Sequence, residues 1–197
     1  MLSKNYKNWI SVEDEKRCVD CEELHGKVYE IQEVPNPKPP IHPWCRCAIQ
    51  ALEALEAGLA TGNGKNGADY WLTYYSQLPP YYISLEDARK AGWKSSKGNL
   101  ASVAPNMMLE KGIYRNDDGH LPDIVGRIWY EADINYVSGF RGVERILYSN
   151  DGLIFITRDH YNTFIEIVKP DNYEEEQPVS TDETIETINE EDNADET

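Results

Sequence analysis

The stretch YEADINYVSGFRGVERILYS, Tyr130 to Ser149, sets Glu131, Asp133, Arg141, Glu144 and Arg145 among apolar residues that read as sheet core. Strand alternation puts Trp129, Glu131 and Asp133 on one face of RIWYEADI, with Ile128, Tyr130, Ala132 and Ile134 on the other. In RILYS, Arg145 shares a face with Leu147. If the two strands pair through the short VSGFRGV connection, Glu131, Asp133, Arg141 and Arg145 converge. His160 follows LIFIT in the turn Arg158-Asp159-His160-Tyr161, at the rim of the same sheet. This set suits phosphoryl transfer. One group takes a proton, one gives a proton, and two fixed cations stabilise charge building on phosphoryl oxygens. The alternative is structural. Acid–base pairs across antiparallel strands are ordinary, and Asp133 then simply holds the arginines.

The elements that must position these groups are legible around them. ADYWLTYYSQL has aromatics and leucine at helical spacing and stops at Pro79-Pro80. SLEDARKAGW follows, with Ser84 and Asp87 as a capping box and Gly92 just past the end. After Gly126 the pattern changes to short β-type runs: RIWYEADI, RILYS, LIFIT and TFIEIV. Asn150-Asp151-Gly152 between two of them is a hairpin signal. Helices first and consecutive antiparallel strands after predict an α+β fold. Upstream, Ala48 to Ala60 is Ala/Leu/Glu-rich and predicts a helix. Thr61 to Gly67 is a Gly/Asn linker. The chain therefore divides into a Cys/His-rich module at 1–50, a helix and linker at 51–67, a compact domain at 68–169 and an acidic tail at 170–197.

The 197 residues carry a formal charge of −16, unevenly spread. Twelve acids and no base lie between Asp171 and Thr197, so the tail is expected to be disordered. A polyanion of this kind could also cover a basic substrate channel in cis. No stretch approaches the roughly 18 apolar residues of a membrane span, and the start of the chain lacks the apolar core of a signal peptide. The expected location is cytoplasmic or virion-associated, with no membrane partner. Cys18-x2-Cys21 and Cys45-x-Cys47, with His42 nearby, could supply a tetrahedral structural zinc site. Disulfides, or reduced thiols without a metal, are the alternatives.

Beyond the spacing, AGW, SKGNLA, VAP, EADINY, SGFR, RILYS and DHY-TF recur in order over about 100 residues. From Ala68 to Val168 the chain closely resembles the barnase-like microbial guanyl-specific ribonucleases. The resemblance implies an endoribonuclease that cuts RNA 3′ of guanine without a metal cofactor. It gives Glu131 the role of general base and His160 that of general acid. Arg141 and Arg145 become the phosphate-binding arginines, Asp133 their positioner and Tyr161 a substrate contact. The loop Tyr114-Arg115-Asn116-Asp117-Asp118-Gly119 aligns with the guanine-binding loop, with Asn116 and Asp118 on matching positions. Leu85 stands where the family has a catalytic-site lysine, so the expectation is either reduced activity or a cation supplied by a neighbour such as Arg115 or Lys97. Asp117 stands where the family has a loop arginine, which bears on recognition by a barstar-like inhibitor. Residues 9–50, with D-x-x-x-C-x-x-C…G-K and PP-x-H-P-x-C-R-C, resemble the end of phage Mu F-like minor head proteins. That implies phage head components as partners and a toxin-like nuclease as cargo. The competing function is a virion structural protein with an inactive nuclease fold.

Overall fold

The computed structural model describes residues 1–170; the expectations for the acidic tail fall outside them. Along the chain run β1 (Leu2–Ile10), α1 (Val19–Glu23), β2 (Val28–Glu30), β3 (Ala48–Glu56), α2 (Ala68–Tyr75), β4 (Tyr82–Ser84), α3 (Leu85–Lys90) and α4 (Leu100–Val103). Then come β5 (Met108–Tyr114), β6 (Trp129–Asp133), β7 (Arg145–Ser149), β8 (Ile154–Thr157) and β9 (Ile165–Val168). The strands form one sheet in the order β2-β1-β3-β9-β8-β7-β6-β5-β4. Helix and strand are segregated in the second half, as an α+β reading expects, but the structure is mostly sheet with few helices.

The helix expected over 48–60 is instead β3. Helix propensity is worth only tenths of a kcal/mol per residue and yields to tertiary pairing. β3 pairs antiparallel with β1 and parallel with β9, so both of its edges are occupied. It thereby carries the sheet from the N-terminal region into the remainder of the protein. Its alternation is visible in retrospect: Leu52 and Ala54 are buried with Glu53 exposed between them.

The two sheet faces hold different cores. α2 lays Ala68 and Leu72 on Ala132, Ile146, Ile154, Ile156 and Ile167. The opposite face packs Trp129, Leu147, Phe155 and Phe164 with Leu121, and also with Tyr6, Val28 and Leu52 from the N-terminal region. α3 and α4 close the far end, where Ala88, Trp93, Leu100 and Leu109 meet. Ser84 caps α3 by accepting from the Asp87 N–H at 3.1 Å, as its sequence position predicts. The Gly/Asn stretch is stitched down as well. The buried Asp69 carboxylate accepts from the Gly58 and Ala60 amides and the Thr61 hydroxyl at 2.7, 2.9 and 3.2 Å.

Candidate active site

β6 and β7 pair antiparallel, with Glu131 opposite Leu147 and Asp133 opposite Arg145. Period-two alternation turns both carboxylates to the face opposite α2, where each is 1% exposed. Two buried anions are tolerated only with compensating cations. Arg141, delivered by the β6–β7 connection, forks onto Asp133 with Nε and Nη2 at 2.6 and 2.5 Å from its two oxygens. Burial opposes the Arg141 charge, but the Asp133 hydrogen bonds together with the Asp133 and Glu131 charges outweigh it and raise the guanidinium pKa. Arg145 sets Nε 3.2 Å from Asp133 and 3.4 Å from Glu131, and donates from Nη1 to the Glu144 carbonyl at 2.7 Å. That Nε is buried yet makes no hydrogen bond among the described residues. A spare donor therefore sits between the two carboxylates.

Glu131 gathers further partners. The Tyr161 hydroxyl donates to its Oε1 at 2.6 Å. Burial, followed by the Glu131 hydrogen bond, pushes the Tyr161 phenol far up, so it remains a donor. Tyr161 stacks on Tyr114, with centroids 5.5 Å apart and planes at 17°. Burial pushes the Tyr114 phenol up to about 12. His160 is exposed, and its ring centroid lies 4.9 Å from that of Tyr161. His160 and Tyr161 both take positive φ, +60° and +72°. Such strain in non-glycine residues persists only where surroundings enforce it. Asp159 does so by accepting from the Thr163 amide and hydroxyl at 2.9 and 2.6 Å and from the Thr157 hydroxyl at 2.9 Å. The Tyr161 amide donates to the Thr157 hydroxyl at 2.9 Å.

Two buried carboxylates, two arginines and a strained His-Tyr turn at one rim form an acid–base and anion-binding set. A family model described as ribonuclease matches residues 66–168.

The chain belongs to the ribonuclease family.

A ribonuclease of Bacillus intermedius is 49% identical over 109 residues, which is 55% of this chain and 67% of that protein. A ribonuclease of Heyndrickxia coagulans is 52% identical over 100 residues, 51% of this chain and 91% of that one. Residues 2–50 match a second family model, the phage Mu protein F like protein.

The structure supplies this ribonuclease with a cation that sequence reasoning missed. Lys111 Nζ lies 3.1 and 3.0 Å from the two Glu131 oxygens. The β5–β6 register shifts between Glu110 and Gly112, and Gly112 has φ +90°. A bulge re-aims a side chain out of simple alternation, so the period-two pattern could not place Lys111. Its only signal was a lysine beside Glu110 in the middle of β5. Arg115, by contrast, is tied to Asp117 at 2.7 Å with both side chains well exposed. Leu85 packs against the Ala88–Trp93–Leu100 cluster, a packing reason for an apolar residue there.

In the loop expected to read guanine, Asn116 adopts φ +50°. Its amide spans the loop, donating to the Leu121 carbonyl at 2.9 Å and accepting from the Leu121 amide at 3.0 Å. Asn116 thus shapes the loop, while Asp118 is exposed on it. Of the cysteines expected to bind zinc, Cys21 is buried and Cys18, Cys45 and Cys47 are half-buried. His42 joins Cys18 and Cys21 in one close group, and Cys45 and Cys47 join Cys21 in another.

Proposed function

We propose that this ribonuclease cleaves single-stranded RNA on the 3′ side of guanine by transphosphorylation. The observation that supports this reading best is the buried Glu131 carboxylate, ringed by Tyr161, Lys111, Arg145 and Arg141 at 2.6 to 3.9 Å. Glu131 takes the proton of a ribose 2′-hydroxyl, and that oxygen attacks the adjacent phosphorus. The bond from phosphorus to the 5′ oxygen breaks, and His160 gives the leaving oxygen its proton. The products are a 2′,3′-cyclic phosphate and a free 5′-hydroxyl. When water opens the ring, His160 takes its proton and Glu131 returns one to the 2′ oxygen. Arg141 and Arg145 bear the charge of the pentacoordinate phosphorus. DNA lacks the nucleophile and is not a substrate. Asp118, beside a loop shaped by Asn116, can accept from guanine N1–H and the 2-amino group, and the Tyr114–Tyr161 stack offers an aromatic face to a base.

The test is cleavage of a short RNA with one guanine by the full chain, in buffer without divalent cations, beside Glu131→Gln and His160→Gln. Cyclic-phosphate ends 3′ of the guanine are expected, with each variant slowed about 10²- to 10⁴-fold. Cleavage undiminished in both variants removes the assignment.

The match at residues 2–50 supports a second reading for that segment: attachment to phage head components, with the nuclease as a toxin-like cargo. Co-sedimentation of the full chain with assembled heads tests it, and a chain found only in the soluble fraction counts against it.

A further inference from the structure

We propose that Cys18, Cys21, His42 and Cys45 hold one zinc ion, and that this ion fixes the Leu24–Val28 segment against the base-reading loop. The Nε2 of His42 lies 3.1 Å from Cys18 Sγ and 3.3 Å from Cys21 Sγ. Its Nδ1 lies 2.8 Å from the Pro43 carbonyl, which can only accept. Nδ1 therefore carries the proton, and the Nε2 lone pair faces the two sulfurs. This is the tautomer and the outer hydrogen bond that a metal-binding histidine uses.

Cys21 Sγ lies 3.8 Å from Cys45 Sγ. A disulfide needs about 2.05 Å, whereas two sulfurs each about 2.3 Å from a tetrahedral zinc stand about 3.8 Å apart. His42 and Cys45 are the two ends of one turn, closed by the Cys45 amide on the His42 carbonyl at 3.1 Å, so a single loop delivers both donors. Cys47 also lies within 4.8 Å of Cys21 and Cys45, so the cluster holds one donor more than a tetrahedral zinc needs; Cys45, on the His42 turn, is the one assigned, and Cys47 is the spare thiol. Three sulfurs and one imidazole select zinc over the hard cations. Local structure also needs a staple here. α1 is only five residues long, too short to hold itself, and the connection from β2 to β3 has no regular structure.

The second half of the proposal rests on the reading of the Asn116–Leu121 loop as the base reader. Directly after α1, the His25 carbonyl accepts from His120 Nε2 at 3.0 Å. The Val28 amide donates to the His120 carbonyl at 2.7 Å. Gly26 is pressed so closely on the His160 turn that an added Cβ would lie 1.9 Å from the Asn162 carbonyl oxygen. The metal-held end of the chain thus touches the base loop and the turn bearing His160.

The first test is elemental analysis and cobalt substitution of the reduced full chain. One zinc per chain and thiolate-to-cobalt charge-transfer bands are expected. Both are lost in Cys21→Ser and Cys45→Ser and retained in Cys47→Ser. Should Cys21→Ser fail to fold, His42→Ala, on an exposed loop, is expected to lose zinc to a competing chelating dye at least tenfold more readily than wild type. A chain without zinc after incubation with the metal, or a cobalt complex without thiolate bands, overturns the site. Loss of metal in Cys47→Ser but not in Cys45→Ser overturns the ligand set. The second test is amide hydrogen exchange before and after metal removal. Faster exchange at Val28 and Leu121 supports the clamp, and loosening confined to residues 11–47 refutes it. Neither readout uses RNA cleavage, so either result stands apart from the proposed reaction.

Discussion

At the scale of residues, the site is a problem in burying charge. Glu131 and Asp133 are almost fully buried, and they are tolerable because Arg141, Arg145 and Lys111 reach them. Under the proposed reaction, Lys111, bonded to Glu131, is a positioning group for the base and supplies a cation where Leu85 has none. Lys111→Leu is expected to lower kcat roughly ten- to a hundredfold with KM little changed, the loss of one charge-assisted hydrogen bond. Adding Leu85→Lys should recover part of that loss. Steady-state kinetics on a guanine-containing dinucleotide checks both, and an unchanged kcat in the single variant takes Lys111 out of the reaction. The residue types of the site were legible in the sequence, because strand alternation puts Glu131 and Asp133 on one face and the paired strand brings Arg145 to it. Lys111 was not, because no strand was read before Gly126 and the bulge in β5 sets where its side chain goes.

At the scale of elements, the His160 turn and the Asn116–Leu121 loop are held by chain far away in sequence. Gly26 has φ +79° and no room for a side chain. Gly26→Ala is expected to cost about 1–3 kcal/mol and to displace the Asn162 turn. Urea denaturation, with the His160 ring signals as a local probe, checks it. A variant as stable as wild type means the contact gives way freely. His120 adds a pH dependence. Burial, more than any neighbouring group, lowers its pKa; the Asp118 charge and the hydrogen bond to the His25 carbonyl oppose it, and the Lys27 and His25 charges act with it. A folded pKa below the unfolded value near 6.5 means that the unfolded chain binds more protons between the two. The contribution is thus present above pH 6.5 and is lost as pH falls through that window. Denaturation midpoints at pH 7 and pH 5 should differ more for wild type than for His120→Gln; equal differences would discharge His120. The α2, α3 and hairpin signals were read correctly from capping, periodicity and turn chemistry, all local properties. β3 was misread because its composition favours a helix and its strand neighbours, β1 and β9, lie at opposite ends of the described chain.

At the scale of the whole molecule, one sheet joins the region that matches a phage Mu protein F like family to the ribonuclease region. Tyr6 and Val28 complete the core over Trp129, Leu147 and Phe155. Removing residues 1–47 should therefore lower stability by about 3–6 kcal/mol, the worth of two buried side chains. The active-site residues all lie beyond the cut, so cleavage at low temperature should persist. Chemical denaturation and a cleavage assay on the shortened chain check this, and an unchanged midpoint would mean that the shared core contributes nothing. Among the described residues no helix is long and apolar enough to cross a membrane.

The sequence by itself determined the chemistry: which groups could move a proton, which could hold a phosphate, and which strands would carry them. Those follow from side-chain type and from periodicities that neighbouring residues impose on one another. Tertiary structure alone decided that 48–56 is a strand, that Lys111 reaches Glu131, and that the cysteine-rich region leans on the Asn116–Leu121 loop. Each of these depends on pairing or close approach between segments far apart in the chain. No local pattern encodes such contacts; the free energy of burying two distant faces together selects them.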